Sequence, residues 1–315
     1  MRVLVTGAAG FIGSNLVDRL LADDHQVIGV DNLRSGVLDN LTQAVRLNGR
    51  GPGRFTFLRR DVQTPDLTGI VVGSNPDVIF HLAAQVDLQT SVDDPQFDAR
   101  SNVLGTLNVC EASRRAGVRR VVYAGVECSY PDTQGHVFED AQPNPLSPYL
   151  VAKLAGAMYL NAYGEMYGLA PISLALPTVY GPRQNLHGPG GGITRLGTSM
   201  ITGQPVAVSR EVAPRHEFVY VDDAVEAFLC AADAPLETTG TFTIGTGDQT
   251  ATSDMPPPDL SGPRRERGAF GTRDRVRSGS ELGWKANVSL AEGTERTMQW
   301  LRARLEPEPA LLIGA

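Results

Sequence analysis

Cysteine is scarce in this sequence: Cys110, Cys128 and Cys230 are the only three among 315 residues. They are widely spaced and odd in number, so they supply neither a disulfide framework nor a zinc cluster. No metal is expected, and a reducing, cytoplasmic setting fits. Basic runs are missing too. Lys and Arg total 28 against 35 Asp and Glu, a formal net charge of -7, which argues against a nucleic-acid surface. No apolar run reaches the roughly 20 residues of a membrane-spanning helix. The N-terminus enters a strand-like run at once, without secretory-signal anatomy. No internal repeat is visible. What remains, 42% hydrophobic and 20% charged, is ordinary for a globular chain of one large domain or two lobes.

The first motif follows a short apolar strand, residues 2–6. Gly7-Ala8-Ala9-Gly10-Phe11-Ile12-Gly13 leads into a helical pattern over 14–21. Strand, glycine turn and helix together form the setting of a dinucleotide-binding turn. Gly7 permits the tight turn, and Gly10 lets the backbone approach a pyrophosphate. Gly13 lets helix and strand pack closely, with the helix N-terminus toward the phosphates. The next strand, 26–30, ends in Asp31. A carboxylate there accepts from ribose hydroxyls and repels a 2′-phosphate, which selects NAD over NADP. The alternative is that Asp31 merely caps a turn. A third strand, 55–58, leads to Asp61, which either accepts from an adenine amino group or closes a turn. A fourth, 78–84, ends in small residues, where open α/β sheets bind ligands. His81 within it reads as a satisfied strand-end histidine. A helix over 96–117 contains Asn102. A fifth strand, 118–124, opens into a loop at 125–131.

The second motif is Ser147-Pro148-Tyr149-Leu150-Val151-Ala152-Lys153. Pro148 suits a first helical turn, and the spacing of Leu154, Met158, Tyr159 and Ala162 predicts that the helix continues. Tyr149 and Lys153 then share a face, one turn apart. An ammonium beside a phenol favours the phenolate, and a phenolate can take a proton from a sugar hydroxyl as hydride leaves the same carbon. Such a pair can equally be two solvated surface residues; the neighbouring motifs favour the chemical reading. Beyond residue 170 the pattern predicts strands at 172–176, 217–221 and 241–244. Helices are predicted over 194–202, up to 232 after a cap at Asp222, and over 289–305. A loop is expected at 249–263. The alternation implies a doubly wound parallel sheet, the Rossmann arrangement, over residues 1–170, with return segments from about 205–245. Residues 171–315 would form mainly a smaller α/β substrate lobe, and the cleft between them is the expected site.

Together these residues resemble the extended short-chain dehydrogenase/reductases that act on nucleotide sugars, the epimerase/dehydratase family. The matching pieces are TGAAGFIG at 6–13, VDN at 30–32, DV at 61–62, HLAA at 81–84, NVLGT at 102–106 and SPYLVAK at 147–153. VYGPRQ at 179–184, FVYVDD at 218–223 and ELGW at 281–284 complete the set. They run in order over nearly the whole chain. HLAAQVDLQTSVDDPQFDA and VYGPRQNLHG are most similar to the actinobacterial UDP-glucose 4-epimerase branch. The resemblance implies a nucleotide-sugar epimerase with bound NAD. It implies NAD contacts from Gly7, Gly10, Phe11, Ile12, Gly13, Asp31, Asn32, Asp61, Val62, Leu82, Ala83, Ala84, Asn102 and Pro177. Lys153 would bond the nicotinamide ribose and Tyr149 would be the base. Val126, Thr178, Arg183, Arg215, His216 and Arg264 would face a nucleotide sugar, a UDP-hexose above all. A homodimer through the helices at 96–117 and 148–167 is implied as well.

Several positions depart from the family pattern. Val126 stands where the family has Ser or Thr, Thr178 where it has Asn, and His216 where it has Arg, with Arg215 alongside. The segment 248–262 is short and proline-rich. Cys128-Ser129-Tyr130-Pro131 is similar to the CxYP of GDP-fucose synthase and GDP-mannose 3,5-epimerase, and Glu127 falls where related dehydratases carry an acid. Three readings therefore stay open. One is C4 epimerisation through a 4-keto sugar. The second is C5 epimerisation or dehydration after C4 oxidation, with Cys128 or Glu127 moving the proton. The third is an NAD- or nucleotide-binding protein that has lost catalysis.

Overall fold

The computed structural model describes residues 1–48, 53–126, 147–186, 191–204, 215–251 and 276–305. In chain order the first elements are β1 (Arg2–Thr6), α1 (Phe11–Ala22), β2 (Gln26–Asp31), α2 (Thr42–Asn48), β3 (Phe55–Arg59), α3 (Leu67–Ser74) and β4 (Val78–His81). Then come α4 (Leu88–Asp93), α5 (Pro95–Ala99), a π-turn (Arg100–Leu104), α6 (Gly105–Ala116), β5 (Arg120–Val126), α7 (Pro148–Tyr167) and β6 (Ala170–Leu176). The remainder is β7 (Thr178–Tyr180), α8 (Gly192–Thr202), β8 (Arg215–Tyr220), α9 (Val221–Asp233), β9 (Gly240–Thr243), β10 (Gln249–Ala251), α10 (Val276–Glu281) and α11 (Leu290–Leu305).

The strands of the main sheet are apolar on both faces, as a sheet covered on both sides requires. Its order is β3-β2-β1-β4-β5-β6-β9, and every neighbouring pair is parallel. The order reverses between β1 and β4, which opens a crevice above the carboxyl ends of these strands. One core layer packs Leu16, Val17 and Leu20 of α1 and Phe228 of α9 against Val3, Val5 and Phe80 of the sheet. The other packs Val71 of α3, Val109 of α6 and Leu160 of α7 against Leu4, Ile79 and Val121. A second sheet, β10-β8-β7, carries a smaller core of Val179, Tyr180, Phe218 and Val219.

The expected boundary near residue 170 falls at the start of β6, which is buried at every position but its last, inside the main sheet. β9 then joins at its edge. Of the return segments, α9 covers the main sheet while β8 stays in the small one. Asp222 does not cap α9. Tyr220 is the cap, because its backbone is still extended from β8 (φ -67°, ψ 145°). Asp222 sits in the first turn and pairs with Arg296 at 3.4 Å. The loop expected at 249–263 begins instead as β10, paired antiparallel to β8.

Candidate active site

The turn between β1 and α1 is held by Gly7, whose φ of +72° is costly for any residue with a Cβ. A Cβ on Gly7 would stand 2.7 Å from the Ala83 nitrogen, and one on Gly13 would stand 2.1 Å from the Gly7 oxygen. The first turn is therefore packed tightly between α1 and the end of β4. Gly10 caps α1 with extended backbone and no side-chain bond. An uncapped helix start of this kind directs main-chain N–H groups at a pyrophosphate. At the end of β2, the Asp31 Oδ2 accepts from Ala9 N at 3.0 Å and Oδ1 from Leu33 N at 2.7 Å. Asp31 thus caps the turn and also faces the cleft. Each oxygen keeps a lone pair for a ribose hydroxyl. Burial pushes the Asp31 carboxyl above its ordinary range, opposed by those two N–H groups and reinforced by Asp61. Asp61 in turn accepts from Asn32 Nδ2 at 2.8 Å.

One cleft of about 1170 Å³ collects every described site residue singled out by the sequence except Asn102 and the side chains named below as lying outside the described residues. Gly7, Gly10, Phe11, Ile12 and Gly13 line it from the first turn, and Asp31, Asn32, Asp61 and Val62 from the ends of β2 and β3. Leu82, Ala83 and Ala84 line it after β4, and Pro177 and Thr178 after β6. Val126, Tyr149, Lys153 and Arg183 line the same space. These residues fit a dinucleotide: a glycine cradle that a Cβ would fill, an uncapped helix start, and a carboxylate at the adjacent strand end. Among the described residues no cluster of His, Cys, Asp and Glu could hold a metal. No helix among them is long and apolar enough to cross a membrane.

Tyr149 and Lys153 enter this cleft from the first turns of α7. Ser147 caps the helix by accepting from Leu150 N at 3.2 Å, and Pro148 occupies the first helical position. Lys153 is buried, and its ammonium lies 4.0 Å from the centre of the Tyr123 ring, a cation–π contact worth more for being desolvated. The Tyr123 ring leans on His81, centroids 5.5 Å apart. His81 is fully buried between Thr6 Oγ1 at 2.7 Å and Thr106 Oγ1 at 3.0 Å. Burial, with the Lys153 charge second, holds His81 down at about 3. A neutral histidine therefore leaves Lys153 as the positive charge on this side of the cleft.

Asn102 does not line the cleft. It is 1% exposed. Its Oδ1 accepts from Gln85 N at 2.9 Å, and its Nδ2 donates to Gln85 O at 2.9 Å and to Asp98 Oδ1 at 3.0 Å. The π-turn at Arg100–Leu104 interrupts the helix at this residue, and π-turns recur at functional sites. Asn102 thus holds the loop after β4 from behind rather than presenting its amide to a ligand. Gln85 Nε2 adds a bond to Asp98 Oδ1 at 3.0 Å. Gln85 and Asp98 escaped the sequence reading. The available signal was the four-residue spacing of Asp98 and Asn102 on a helix, just after the HLAA segment.

Arg183 lines the cleft and is also tied to the first helix. Its guanidinium pairs with Asp18 of α1, while Asn15 of α1 donates to Pro182 O at 3.2 Å. Arg183 thereby ties the turn after β7 to the first helix. Val126 is the last residue of β5, in register with Leu176. Glu127, Cys128 and Arg264 lie outside the described residues, as do the side chains of Arg215 and His216.

The comparisons with known proteins agree with this geometry. Residues 3–245 match the model of the NAD dependent epimerase/dehydratase family. A UDP-glucose 4-epimerase of Mycolicibacterium smegmatis is 40% identical over 96% of this chain and 99% of its own length. The crystal structure of a Thermotoga maritima UDP-glucose 4-epimerase with UDP-glucose superposes with a TM-score of 0.84. That pair is 32% identical over 97% of this chain and all of the other. A Thermus thermophilus UDP-glucose 4-epimerase in complex with NAD gives a TM-score of 0.80 at 31% identity, over 96% of this chain and 99% of its own. The cleft, its glycine turn and these matches lead to one conclusion: the chain belongs to the NAD dependent epimerase/dehydratase family.

Proposed function

We propose that this protein interconverts C4 epimers of a nucleotide sugar of the UDP-glucose/UDP-galactose type, with NAD as its cofactor. The observation that carries the reading is the Tyr149–Lys153 pair, one turn apart on α7, facing the same cleft as the Gly7–Gly13 cradle and Asp31. The named activities of the relatives at 40% and 32% identity support the substrate class.

When bound, NAD supplies the hydride acceptor and donor for the reacting carbon. Gly7, Gly10 and Gly13 would cradle its pyrophosphate and Asp31 its adenosine ribose. Tyr149 takes the proton of the C4 hydroxyl as a 4-keto sugar forms, and returns it after the sugar has turned its other face. Lys153 stabilises the phenolate through its charge. General-base help of this kind contributes roughly 10²–10⁴-fold. Val126 has no proton to relay, so Tyr149 meets the hydroxyl directly or through Glu127. The lobe of β7, β8, β10, α8 and α11 would hold the nucleotide. A homodimer is part of the same proposal. On α7, Val151, Met158, Tyr159 and Met166 are exposed, as is Leu104 beside them in the π-turn. Met158 and Tyr159 are two of the positions whose spacing predicts the helix.

The test is proton NMR of UDP-glucose incubated with protein and NAD in deuterium oxide. A UDP-glucose/UDP-galactose mixture without deuterium incorporation is expected, and Tyr149→Phe should slow it by at least a hundredfold. Deuterium at C5, or a deoxy sugar, would transfer the chemistry to Glu127 or Cys128. Cofactor binding without turnover of any UDP-, dTDP- or GDP-hexose would make this a binding protein instead.

A further inference from the structure

The chain has two tryptophans, and the fold uses them differently. Trp284 is buried, with its indole N–H donating to Asp223 O at 2.9 Å. Trp300, on α11, is only partly buried, belongs to none of the three hydrophobic clusters, and lines the cleft that contains Tyr149. A large aromatic that turns to a cleft rather than a core offers a flat contact surface to a ligand.

The placement of α11 is built into the packing. Thr297, Met298 and Leu301 are buried. Met298 and Leu301 pack so close to Gly197 of α8 that a Cβ there would stand 2.6 Å from the Met298 sulfur. Trp300 and Arg304, four residues apart, share a different stripe of the helix, and both line the cleft. The Arg304 guanidinium carbon lies 5.8 Å from the Trp300 ring centre. The other described arginines lining the cleft each have a contact of their own, though Arg183 Nη1 is buried without a hydrogen-bond partner among the described residues. Arg60 pairs with Asp66, Arg183 with Asp18, and Arg34 stacks 4.0 Å above Phe97. Among the described residues Arg304 has no ion pair.

The cradle and Asp31 account for the cofactor, and Tyr149 fixes where the reacting carbon sits. A nucleotide sugar has one more part to place, a flat base joined to two phosphates. We infer that Trp300 stacks on that base and Arg304 pairs with the diphosphate, so that the C-terminal helix supplies the nucleotide-recognition wall. The assignment rests on the nucleotide-sugar reading above, and its test reads binding without turnover.

UDP, which has no sugar to epimerise, is titrated into the NAD-loaded full-length protein while tryptophan emission and calorimetric heat are followed. Saturable quenching is expected from Trp300, with Trp284 too deeply placed to respond. Trp300→Ala should raise the Kd for UDP roughly 5–150-fold, the factor that corresponds to one base–aromatic stack. Trp300→Phe should restore most of the affinity but not the quenching. Arg304→Gln should weaken UDP and leave uridine, which has no phosphate, unchanged. Equal UDP affinity in wild type and Trp300→Ala, or quenching that survives in Trp300→Phe, would overturn the stacking role. Equal losses of UDP and uridine in Arg304→Gln would overturn the phosphate role. If Trp300→Ala fails to fold, judged by circular dichroism and NAD retention, the Phe and Gln variants decide. UDP binding as described, without turnover of any UDP-hexose, would sink the epimerase reading alone. Turnover of UDP-glucose without a Trp300 response would sink this one alone.

Discussion

Asn102→Leu should destabilise the protein before any cofactor is added. Leucine has nearly the size of asparagine but cannot bond. In the fold, the Asn102 amide satisfies both main-chain groups of Gln85 and one oxygen of Asp98. Gln85 and Asp98 are themselves buried, so water does not readily replace the lost partner. Leaving a buried main-chain donor and acceptor unsatisfied costs about 1–3 kcal/mol each, which predicts about 2–6 kcal/mol for the pair. Asp98 retains Gln85 Nε2 and is the lesser loss. Urea denaturation of NAD-free protein reads this as a lower midpoint at unchanged slope. NAD affinity should fall as well, because the loop from Gln85 to Leu88 lines the cleft. Unaltered stability without NAD, together with weakened NAD binding, would refute the reasoning. That outcome would mean that Asn102 turns toward the ligand.

Three further outcomes follow from the same geometry. Gly7→Ala forces a Cβ into positive φ, at about 1–2 kcal/mol, and against the Ala83 nitrogen; calorimetry should show NAD affinity down at least tenfold, and unchanged affinity would count against the cradle. His81 is held at about 3 against an ordinary 6.5, so its contribution is intact above pH 6.5 and lost as pH falls toward 3. That amounts to about 3 kcal/mol by pH 4. His81→Gln should flatten the acid side of the stability profile, and a slope equal to wild type between pH 6.5 and 4 would contradict the assignment. Met158→Glu places a charge on the exposed apolar stripe of α7; light scattering should find a dimer in wild type and a monomer in the variant, and a monomeric wild type would refute the interface.

The parts legible in the sequence are those whose cause is local. The glycine turn is readable because Gly7 must adopt positive φ. The Tyr149–Lys153 face is readable because helical spacing alone puts the two side chains one turn apart. Asp222 misled for the converse reason. An acidic residue before a helix suggests a cap, but where β8 stops being extended depends on its pairing with β7 and β10.

Local chemistry therefore determined the strand–turn–helix start, the Asp31 terminus of β2, the helix carrying Tyr149 and Lys153 with its Ser147 cap, and the family. Tertiary structure decided which residues those motifs meet. The seventh strand comes from residues 240–243, because only the folded sheet offers β6 as an edge to pair with. Asn102 turns to Gln85, and Arg183 to Asp18, because buried polar groups take the nearest complementary partner. That partner lies 17 residues away for Asn102 and 165 for Arg183. Trp300 reaches the cleft because Gly197 lets α11 lie close on α8. None of these meetings is written in local spacing, since each depends on distances that exist only after the chain has closed on itself.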